Sequence, residues 1–418
     1  MDHTLRAQAD QIVKSAIAAV MPDAAVARAL EGMAFDGRVI LVAAGKAAWQ
    51  MAKAAHDCLG SRIEQGIVIS KYDHIKGPIG NLRCREAGHP VPDEHGFSAT
   101  REALDLVSDL TERDTVLFLL SGGGSALFED PLVSGDELQR ITADLLACGA
   151  EITEINTIRK RLSTVKGGRF ALRCAPAQVF SIVLSDIIGD PLDMIASGPA
   201  CPDSSTCGQA LEIAKKYHLN LSDAAWNCLK QETPKALFNV TTRITGSVRE
   251  LCIAAASAAE DLGYEACILT ERLCCQAREA GSFLASIAGT HCGTGRKLAF
   301  LAGGETVVKL TGNGKGGRNQ ELALAAAVGI DGLEGACVFS VGSDGTDGPT
   351  DAAGGYVDGR TVQILRSCGI DPHQVLQDND AYHALQQTEG LIITGPTGTN
   401  VNDVAVVLLD PRPDRGES

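Results

Sequence analysis

The stretch RVILVAAGK, residues 38–46, decides the fold class of this chain. Residues 38–42 form an apolar, β-branched run typical of a buried strand, and Gly45 and Lys46 then open an alanine-rich helical pattern that reaches about Leu59. A glycine turn of this kind lets backbone N–H groups converge near the positive end of a helix dipole. The stretch therefore predicts a strand–turn–helix unit that binds an anion beside Lys46.

A second turn of the same kind follows the predicted strand Thr115–Leu120. Three consecutive glycines weaken folding locally unless the backbone must approach a ligand closely. This predicts a cradle for phosphate or carboxylate, while a tight turn with no ligand remains the alternative. The turn consists of Ser121, Gly122, Gly123, Gly124 and Ser125.

Short apolar runs alternate with longer helical patterns along the whole chain, which predicts an α/β fold. We expect an N-terminal domain over 1–240 and a C-terminal domain over 241–418, which meet across a cleft because no low-complexity linker separates them. Residues 241–246 are interpreted as a crossover between the domains. The other predicted strands are 67–70, 179–184, 265–270, 297–302, 306–310, 336–341, 390–394 and 404–409.

The composition of the chain limits which ligands it can bind and in which cellular compartment it can work. The net charge of −15 argues against general binding of nucleic acid or of an anionic membrane, so an anionic ligand must meet locally placed lysines and arginines. The N-terminus lacks the apolar region of a signal peptide, and the fourteen cysteines include no CxxC pair. We expect a cytoplasmic protein with reduced thiols.

Two carboxylates follow the predicted strand 179–184. Asp186 and Asp190 lie where the carboxyl end of a parallel strand would place a ligand. Either one could hold Mg²⁺ or accept a substrate proton, and a turn-capping role is the alternative, more so for Asp190.

The C-terminal half carries a glycine-rich run at 312–317 that ends at Arg318. It matches G-x-G-x-x-G formally, but Asp331 precedes the next strand, whereas the dinucleotide fingerprint needs an acid at that strand's end. We interpret the run as a mobile loop that presents Arg318 at a helix start, where a guanidinium can clamp a carboxylate or phosphate. Glu305 lies earlier in the chain, just after the predicted strand 297–302.

Residues 343–351 contain three carboxylates, which suits a hard cation. Mg²⁺ bound together with phosphate fits Asp344 and Asp347 better than a dedicated calcium cage, because the spacing is not that of an EF-hand. Support of turns is the alternative for one or two of the three. A later loop, 395–403, supplies hydroxyl and amide groups, Asn400 among them.

A basic run, Arg159 to Arg161 with Lys166 and Arg169, has two interpretations. A solvated helix face is the favoured one, and reinforcement of the anion site is the alternative.

Taken together, these motifs resemble the class II glycerate 2-kinases, the family with a C-terminal MOFRL domain that is often labelled hydroxypyruvate reductase. The resemblance covers nearly the whole chain and implies a Rossmann-like N-terminal domain, a smaller mixed α/β C-terminal domain and an active site in the interdomain cleft. It rests on residues 45–48, 88–92, 120–126, 156 with 166–168, 185–191, 303–306, 317–321, 344–351 and 394–403.

The resemblance implies ATP-dependent, Mg²⁺-requiring phosphorylation of D-glycerate at its 2-hydroxyl. The family's catalytic lysine and arginine fall on Lys46 and Arg318, and Asp186 is the candidate that orients or deprotonates the hydroxyl. The 121–125 loop would hold phosphate or the glycerate carboxylate. Glu305 and Asn400 are the further binding candidates, and the metal candidates are Asp344, Asp347 and Asp190.

Other functions remain open at this stage. An NAD(P)H-dependent hydroxypyruvate reductase needs a dinucleotide fingerprint and a histidine paired with a carboxylate, and only His89 of nine histidines lies in a motif-like turn. A kinase for another small hydroxy acid and a non-catalytic anion-binding protein are the further alternatives. The sequence leaves a homodimer open.

Overall fold

The computed structural model describes residues 1–411, which form two compact units. The first sheet unit is residues 22–245, and the second sheet unit combines residues 1–21 with the chain from 246 onward. The change of unit after Thr245 lies close to the boundary expected at 240/241, whereas the first 21 residues group with the second sheet unit rather than the first.

Each unit contains a six-stranded sheet. The strands of the first are β1 Val39–Ala44, β2 Ile63–Lys71, β3 Arg83–Ala87, β4 Thr115–Leu120, β5 Gln178–Leu184 and β6 Val240–Gly246. Those of the second are β7 Glu265–Leu273, β8 Leu298–Gly304, β9 Ala336–Gly342, β10 Gly354–Asp358, β11 Leu391–Ile392 and β12 Asp403–Leu409.

Helices occupy most of the chain between these strands. They are α1 His3–Ala19, α2 Pro22–Leu30, α3 Ala48–Leu59, α4 Glu94–Leu106, α5 Gly124–Leu127, α6 Gly135–Ala147, α7 Ile152–Arg161, α8 Arg169–Cys174, α9 Cys207–Lys216, α10 Asp223–Leu229, α11 Val248–Asp261, α12 Ala277–His291, α13 Arg318–Gly329, α14 Thr361–Ser367, α15 Pro372–Asp378 and α16 Ala381–Gln387. Short 3₁₀ turns lie at Gly60–Arg62 and Ile195–Ser197.

The first sheet has the strand order β3-β2-β1-β4-β5-β6, and its β1, β2, β3, β4 and β5 pair in parallel. Alternate residues of β1 enter two different cores: Ile40 packs in one and Leu41 in the other, both fully buried. Burial on both faces explains why this strand is a continuous apolar run. The order is that of a doubly wound α/β fold, which confirms the Rossmann-like prediction.

The second sheet is mixed, with the order β11-β10-β9-β12-β8-β7. Its β12 runs antiparallel to β8 and β9, while β7 and β8 are parallel. The amphipathic helix α1 packs Leu5, Ile12 and Val13 into one core with Leu251 and Ala255 of α11. Burial of that apolar stripe on α11 accounts for the grouping of residues 1–21 with this unit.

Three local predictions were wrong or incomplete. Residues 306–310 form no strand and make only an isolated bridge, at Val307. Residues 241–246, interpreted as a crossover, belong to strand β6. Strands β3 and β10 were missed because β3 is charged and half-exposed and β10 begins with two glycines.

Candidate active site

The two glycine turns lie side by side in the first sheet unit because β1 and β4 are neighbouring parallel strands. Backbone hydrogen bonds join them: Lys46 N donates to the Gly122 carbonyl (2.9 Å), and Ser121 N donates to the Ala44 carbonyl (3.1 Å). Strand order reverses between β1 and β4, which is where doubly wound sheets bind ligands. The two predicted anion turns therefore form one site.

Glycine is required where these turns touch. Gly45 has φ +129°, and a Cβ built on it would lie 2.2 Å from Ser121 Oγ. That hydroxyl is buried and accepts a hydrogen bond from Ala47 N at 3.1 Å, so Ser121 fastens the two turns together. A Cβ on Gly122 would lie 2.2 Å from Asp186 Oδ2, so the carboxylate rests directly against the loop backbone.

The centre of the loop offers unused donors. Gly122 and Gly123 are half-buried, and within residues 1–411 their backbone N–H groups donate to no acceptor. The Lys46 side chain is exposed and forms no ion pair with a carboxylate of the described chain. Two free N–H groups beside a free ammonium suit a phosphate or carboxylate oxygen.

His89 borders the same loop, although the sequence interpretation gave it a chemical role only for a reductase. A Cβ on Gly123 would lie 3.1 Å from His89 Nε2 and 3.2 Å from Lys46 Cγ, so both side chains border the loop. Burial, and then the charges of Lys46, Lys71 and His74, lower the pKa of His89. A neutral imidazole at neutral pH can donate or accept one hydrogen bond to a ligand.

The expected dipole of a helix after the second turn is not supplied. Helix α5 is a single turn of four residues, and Gly123 precedes it at φ +85°. The longer α3 begins at Ala48, two residues after the opening predicted at Lys46, and ends at Leu59, as predicted. Only the Lys46 turn leads into a helix of useful length.

Asp190 adds a further oxygen to this unit. It is a non-glycine residue with φ +52°, and its Oδ1 is buried with no hydrogen-bond partner among the described residues. An orphaned carboxylate oxygen is costly unless a cation or water satisfies it. This observation fits Asp190 to a Mg²⁺ ligand and does not fit a turn cap.

In the second sheet unit, β12 brings the other candidates together. Asp403 begins β12 opposite both Gly304 at the end of β8 and Gly342 at the end of β9. Glu305 and Asp344 follow those two strands, so their side chains arise at the same edge of the sheet as Asp403.

Arg318 is fixed at this edge by two carboxylates. Its Nε and Nη2 donate to Asp403 Oδ2 and Oδ1 at 2.6 and 3.0 Å, and its Nη1 donates to Glu305 Oε1 at 2.7 Å. Burial disfavours the cation, but the hydrogen bonds and charge of Asp403 together with the charge of Glu305 outweigh it and raise the pKa of Arg318. A guanidinium has five N–H donors, so two remain for a ligand.

Asp347 has a different role from the one predicted. Its two oxygens accept hydrogen bonds from Asn319 N (3.2 Å) and Gln320 N (2.9 Å), at the first turn of α13. Asp347 is 3% exposed, and burial raises its pKa to about 6. The carboxylate therefore caps the helix that carries Arg318, which supports the turn and helix interpretation rather than a metal ligand.

The remaining candidates of this unit, Asp344 and Asn400, are more exposed to solvent than Asp347. Asp344 is half-buried, and its Oδ1 accepts from Thr346 N at 3.0 Å, which leaves Oδ2 for a cation. Asn400 is exposed, and its Oδ1 accepts from Asn402 N at 3.3 Å.

The glycine run before Arg318 packs tightly, contrary to the expectation of a mobile loop. A Cβ on Gly312 would lie 2.3 Å from Asp378, one on Gly314 2.4 Å from Asp380, and one on Gly317 2.2 Å from Asp347. The run also does not follow a strand directly, since β8 ends at Gly304. Its glycines serve packing within the unit, and the formal dinucleotide match fails.

Three cations of the basic run are buried and the other two are only partly exposed, so the solvated-face interpretation was wrong. Lys160, 2% exposed, pairs with Asp193 at 3.3 Å and Asp203 at 3.1 Å. Arg161 is fully buried and donates to Ser205, and Lys166 is fully buried 3.3 Å from Glu129. These partners lie far along the chain.

The carboxylates do not form a dedicated metal cage. Within residues 1–411, no group of three or more His, Cys, Asp or Glu side chains is arranged to hold a metal ion. Mg²⁺ in phosphate-transfer sites keeps waters and takes only one or two carboxylates, so the orphaned Asp190 oxygen of the first sheet unit and the open Asp344 oxygen of the second are each a candidate donor. The residues present therefore fit Mg²⁺ carried with a phosphate ligand.

Comparisons with known proteins agree with this architecture. Residues 8–230 match the domain of unknown function DUF4147, and residues 298–403 match the MOFRL family. A Thermotoga maritima protein named D-glycerate 2-kinase is 54% identical over 97% of this chain and 99% of its own length. The crystal structure of a Thermotoga maritima glycerate kinase superposes with a TM-score of 0.94, at 54% identity over 97% of this chain and 99% of that one.

More distant relatives carry two different names. A Pyrococcus horikoshii glycerate 2-kinase is 39% identical over 97% of each chain. An Agrobacterium vitis protein with hydroxypyruvate reductase in its name is 38% identical over 89% of this chain and all of its own length.

The fold and the matched domains define a two-unit, MOFRL-domain kinase. The chain belongs to the class II glycerate kinase family. Within residues 1–411, the structure has no helix with the length and apolar character to cross a membrane.

Proposed function

We propose that the protein transfers the γ-phosphoryl group of ATP to the 2-hydroxyl of D-glycerate, giving 2-phosphoglycerate and ADP. The observation that carries this proposal is the free Lys46 ammonium beside the unpaired N–H groups of Gly122 and Gly123, at the switch point of the sheet. The names of the Thermotoga and Pyrococcus relatives support the choice of substrate.

In the transfer, a bond forms between the glycerate 2-oxygen and the γ-phosphorus while the bond from that phosphorus to the β–γ bridging oxygen breaks. The hydroxyl proton passes to a base, for which we propose Asp186. Such reactions are accelerated mainly by alignment and charge neutralisation, which suits Lys46 and Arg318 as the two cations.

Mg²⁺ would supply charge neutralisation on the phosphate oxygens, and Asp190 of the first sheet unit and Asp344 of the second are each proposed as a ligand. Glu305, whose side chain is 45% exposed, and Asn400 are proposed to bind substrate or nucleotide. Asp347 is no longer proposed as a metal ligand, because both its oxygens accept hydrogen bonds from α13.

The structure offers less support for a hydroxypyruvate reductase, although the Agrobacterium relative bears that name. The turn after β1 has the single glycine Gly45 rather than three, and the glycines of 312–317 are packed against other residues. A dinucleotide pyrophosphate needs close backbone approach at a turn of that kind.

The test is a coupled ADP-release assay with ATP, Mg²⁺ and a panel of small hydroxy acids. We expect D-glycerate to be the best acceptor, with 2-phosphoglycerate rather than 3-phosphoglycerate as the product. NADH or NADPH should not be oxidised with hydroxypyruvate. Reductase turnover without ATP would overturn the proposal, and a different preferred acceptor would retain the kinase and change its substrate. The cytoplasmic location remains a proposal, and so does a homodimer, which sedimentation would test.

A further inference from the structure

Arg159 is a cation in the first sheet unit for which the proposed reaction has no role so far. It lies on α7, is partly exposed, and its Nη2 donates to the Ser125 carbonyl at 2.9 Å. Its Nε is buried and has no hydrogen-bond partner within the described chain. The Nη2 group of Arg159 thus has an acceptor on the glycine loop, whereas its Nε–H group has none.

The charges around Arg159 do not balance. The nearby acid is Glu129, which is fully buried and already lies 3.3 Å from the ammonium of Lys166. Lys166 also donates to the Phe128 carbonyl at 2.9 Å, just after α5. Two cations against one carboxylate leave one positive charge in excess, and a buried excess charge calls for a counter-ion.

The pKa values agree with that surplus. Burial lowers the pKa of Arg159, and the charge of Glu129 only partly opposes it. Burial also lowers the pKa of Lys166 to about 8, and the charge of Arg159 acts in the same direction.

The loop end at Ser125 is fixed by side-chain hydrogen bonds. Ser125 Oγ lies 3.1 Å from Ser197 Oγ, and Ser197 donates to Asn156 Oδ1 at 2.8 Å. Asn156 and Arg159 lie three residues apart on α7, so one helix face holds both the loop and the 3₁₀ turn at Ser197. The fixed hydroxyl and the guanidinium therefore share one edge of the loop.

We propose that Arg159 binds the carboxylate of the hydroxy-acid substrate at the Ser125 end of the glycine loop. The inference rests on the proposed kinase function and assigns the two ends of the loop to different parts of the substrate. The hydroxyl that receives the phosphoryl group is on the carbon next to the carboxylate. Lys46 and Asp186 border the loop at Gly122 and Gly123, so one five-residue loop can serve both groups.

The test compares the wild type with Arg159→Gln and Arg159→Lys, and uses Arg173→Gln on the neighbouring α8, where the residue is exposed, as the matched control. We expect Arg159→Gln to raise KM for D-glycerate by roughly 30-fold or more, because a charge-assisted contact is lost, with KM for ATP unchanged within about twofold. Arg159→Lys should recover part of the loss, since lysine keeps the charge without the fork geometry.

A neutral analogue separates carboxylate binding from a merely structural effect on the loop. D-Glyceramide replaces the carboxylate with a carboxamide, and the wild type should prefer D-glycerate to it strongly. Arg159→Gln should lose that preference. An unchanged preference would show that Arg159 only positions the loop. An increase in KM for ATP instead of D-glycerate would show that Arg159 binds the nucleotide phosphates. Either result would overturn the inference.

Calorimetric titration with D-glycerate distinguishes failure of the inference from failure of the proposed function. Binding to the wild type but not to Arg159→Gln supports the carboxylate site even where no ADP is released. Turnover with intact affinity in Arg159→Gln keeps the kinase and removes the inference. A wild type that neither binds nor phosphorylates D-glycerate rejects both.

Discussion

Asp403 holds the Arg318 guanidinium by two hydrogen bonds, from Nε at 2.6 Å and from Nη2 at 3.0 Å. The Asp403 side chain is 8% exposed and that of Arg318 is 32% exposed, so the carboxylate is buried and the guanidinium is partly exposed. Burial raises the pKa of Asp403, and Arg318 opposes that rise. Asp403 has no role that a sequence pattern would reveal, because its importance depends on β12 pairing with both β8 and β9.

Asp403→Asn should lower kcat by roughly 10- to 100-fold, because a misdirected guanidinium stabilises the transferring phosphoryl group less well. Steady-state kinetics in the Arg318→Ala background provide the discriminating measurement. There Asp403→Asn should cause no further loss of kcat, since Asp403 acts through Arg318. Asp10→Asn, an exposed carboxylate of α1, is the control. Independent, multiplicative effects of the two substitutions would contradict a positioning role.

Lys46→Ala and Arg318→Ala should each lower kcat by about a hundredfold or more, on the order of 3 kcal/mol of transition-state stabilisation. The physical reason is that a cation near the transferring phosphoryl group gains interaction energy as charge shifts. Lys53→Ala and Arg366→Ala remove exposed cations from surface ion pairs and serve as matched controls. Near-normal kcat in both test variants would show that neither cation stabilises the transition state.

Gly122→Ala should separate the chemistry of Asp186 from the stability of the fold. The new Cβ would meet Asp186 Oδ2 at 2.2 Å, and a carboxylate end can turn away without moving backbone. We expect kcat to fall roughly tenfold or more while the melting temperature stays within about 2 °C. Gly289→Ala, whose Cβ meets nothing within 4 Å, is the control. Unchanged turnover would remove Asp186 from the reaction.

Lys166 and Glu129 should behave as a coupled buried pair in a double-mutant cycle. Lys166→Met leaves a fully buried carboxylate without its cation and should cost about 3–5 kcal/mol in unfolding free energy. Lys166→Met combined with Glu129→Gln should recover about 1 kcal/mol or more relative to the sum of the single effects. Urea denaturation measures all four proteins. Additive losses would mean that the charges contribute independently.

The sequence predicted the four inner strands of the first sheet, β1, β2, β4 and β5, because they are buried and contain continuous apolar runs. The turn at Lys46 and the loop at Ser121 do follow buried strands, and Arg318 does lie at the start of a helix, as predicted. Each of these signals is local: an apolar run, a glycine, then a helical pattern.

The rest depends on partners that are distant in sequence. A lysine is expected at the surface, and Lys160 is buried because two distant carboxylates, Asp193 and Asp203, pair with its ammonium. Likewise, the amphipathic pattern of α1 shows that one face is buried but not that α11 covers it. The adjacency of His89 to Gly123 also arises from tertiary structure, although its motif-like turn was a usable signal.

Asp347→Asn should change the pH dependence of stability rather than the use of metal. Burial raises the folded pKa of Asp347 to about 6 from an ordinary value of 3.8, so the folded state binds the proton more tightly than the unfolded chain. Stability from this group is therefore present at low pH and declines as pH rises from about 4 to 6. Relative to the non-titrating Asn variant, the wild type should lose on the order of 3 kcal/mol over that window. Urea unfolding from pH 4 to 7.5 measures it, and parallel curves would contradict the assignment.

Asp344→Asn, in the same turn of the chain, should change the use of metal rather than the stability of the fold. Its Oδ1 supports Thr346 N, which an asparagine oxygen can also do, so the turn should survive the substitution. The lost charge should weaken a hard cation that has few protein ligands, because Mg²⁺ bound with phosphate takes only one or two carboxylates. We expect a higher Mg²⁺ concentration at half-maximal rate, or no turnover, with a melting temperature within about 2 °C of the wild type. Asp347→Asn, assayed in parallel, should keep the Mg²⁺ dependence of the wild type. If Asp344→Asn instead loses several degrees and keeps its metal dependence, Asp344 supports the turn and the metal ligands lie in the first sheet unit, with Asp190 and then Asp186 to be tested next.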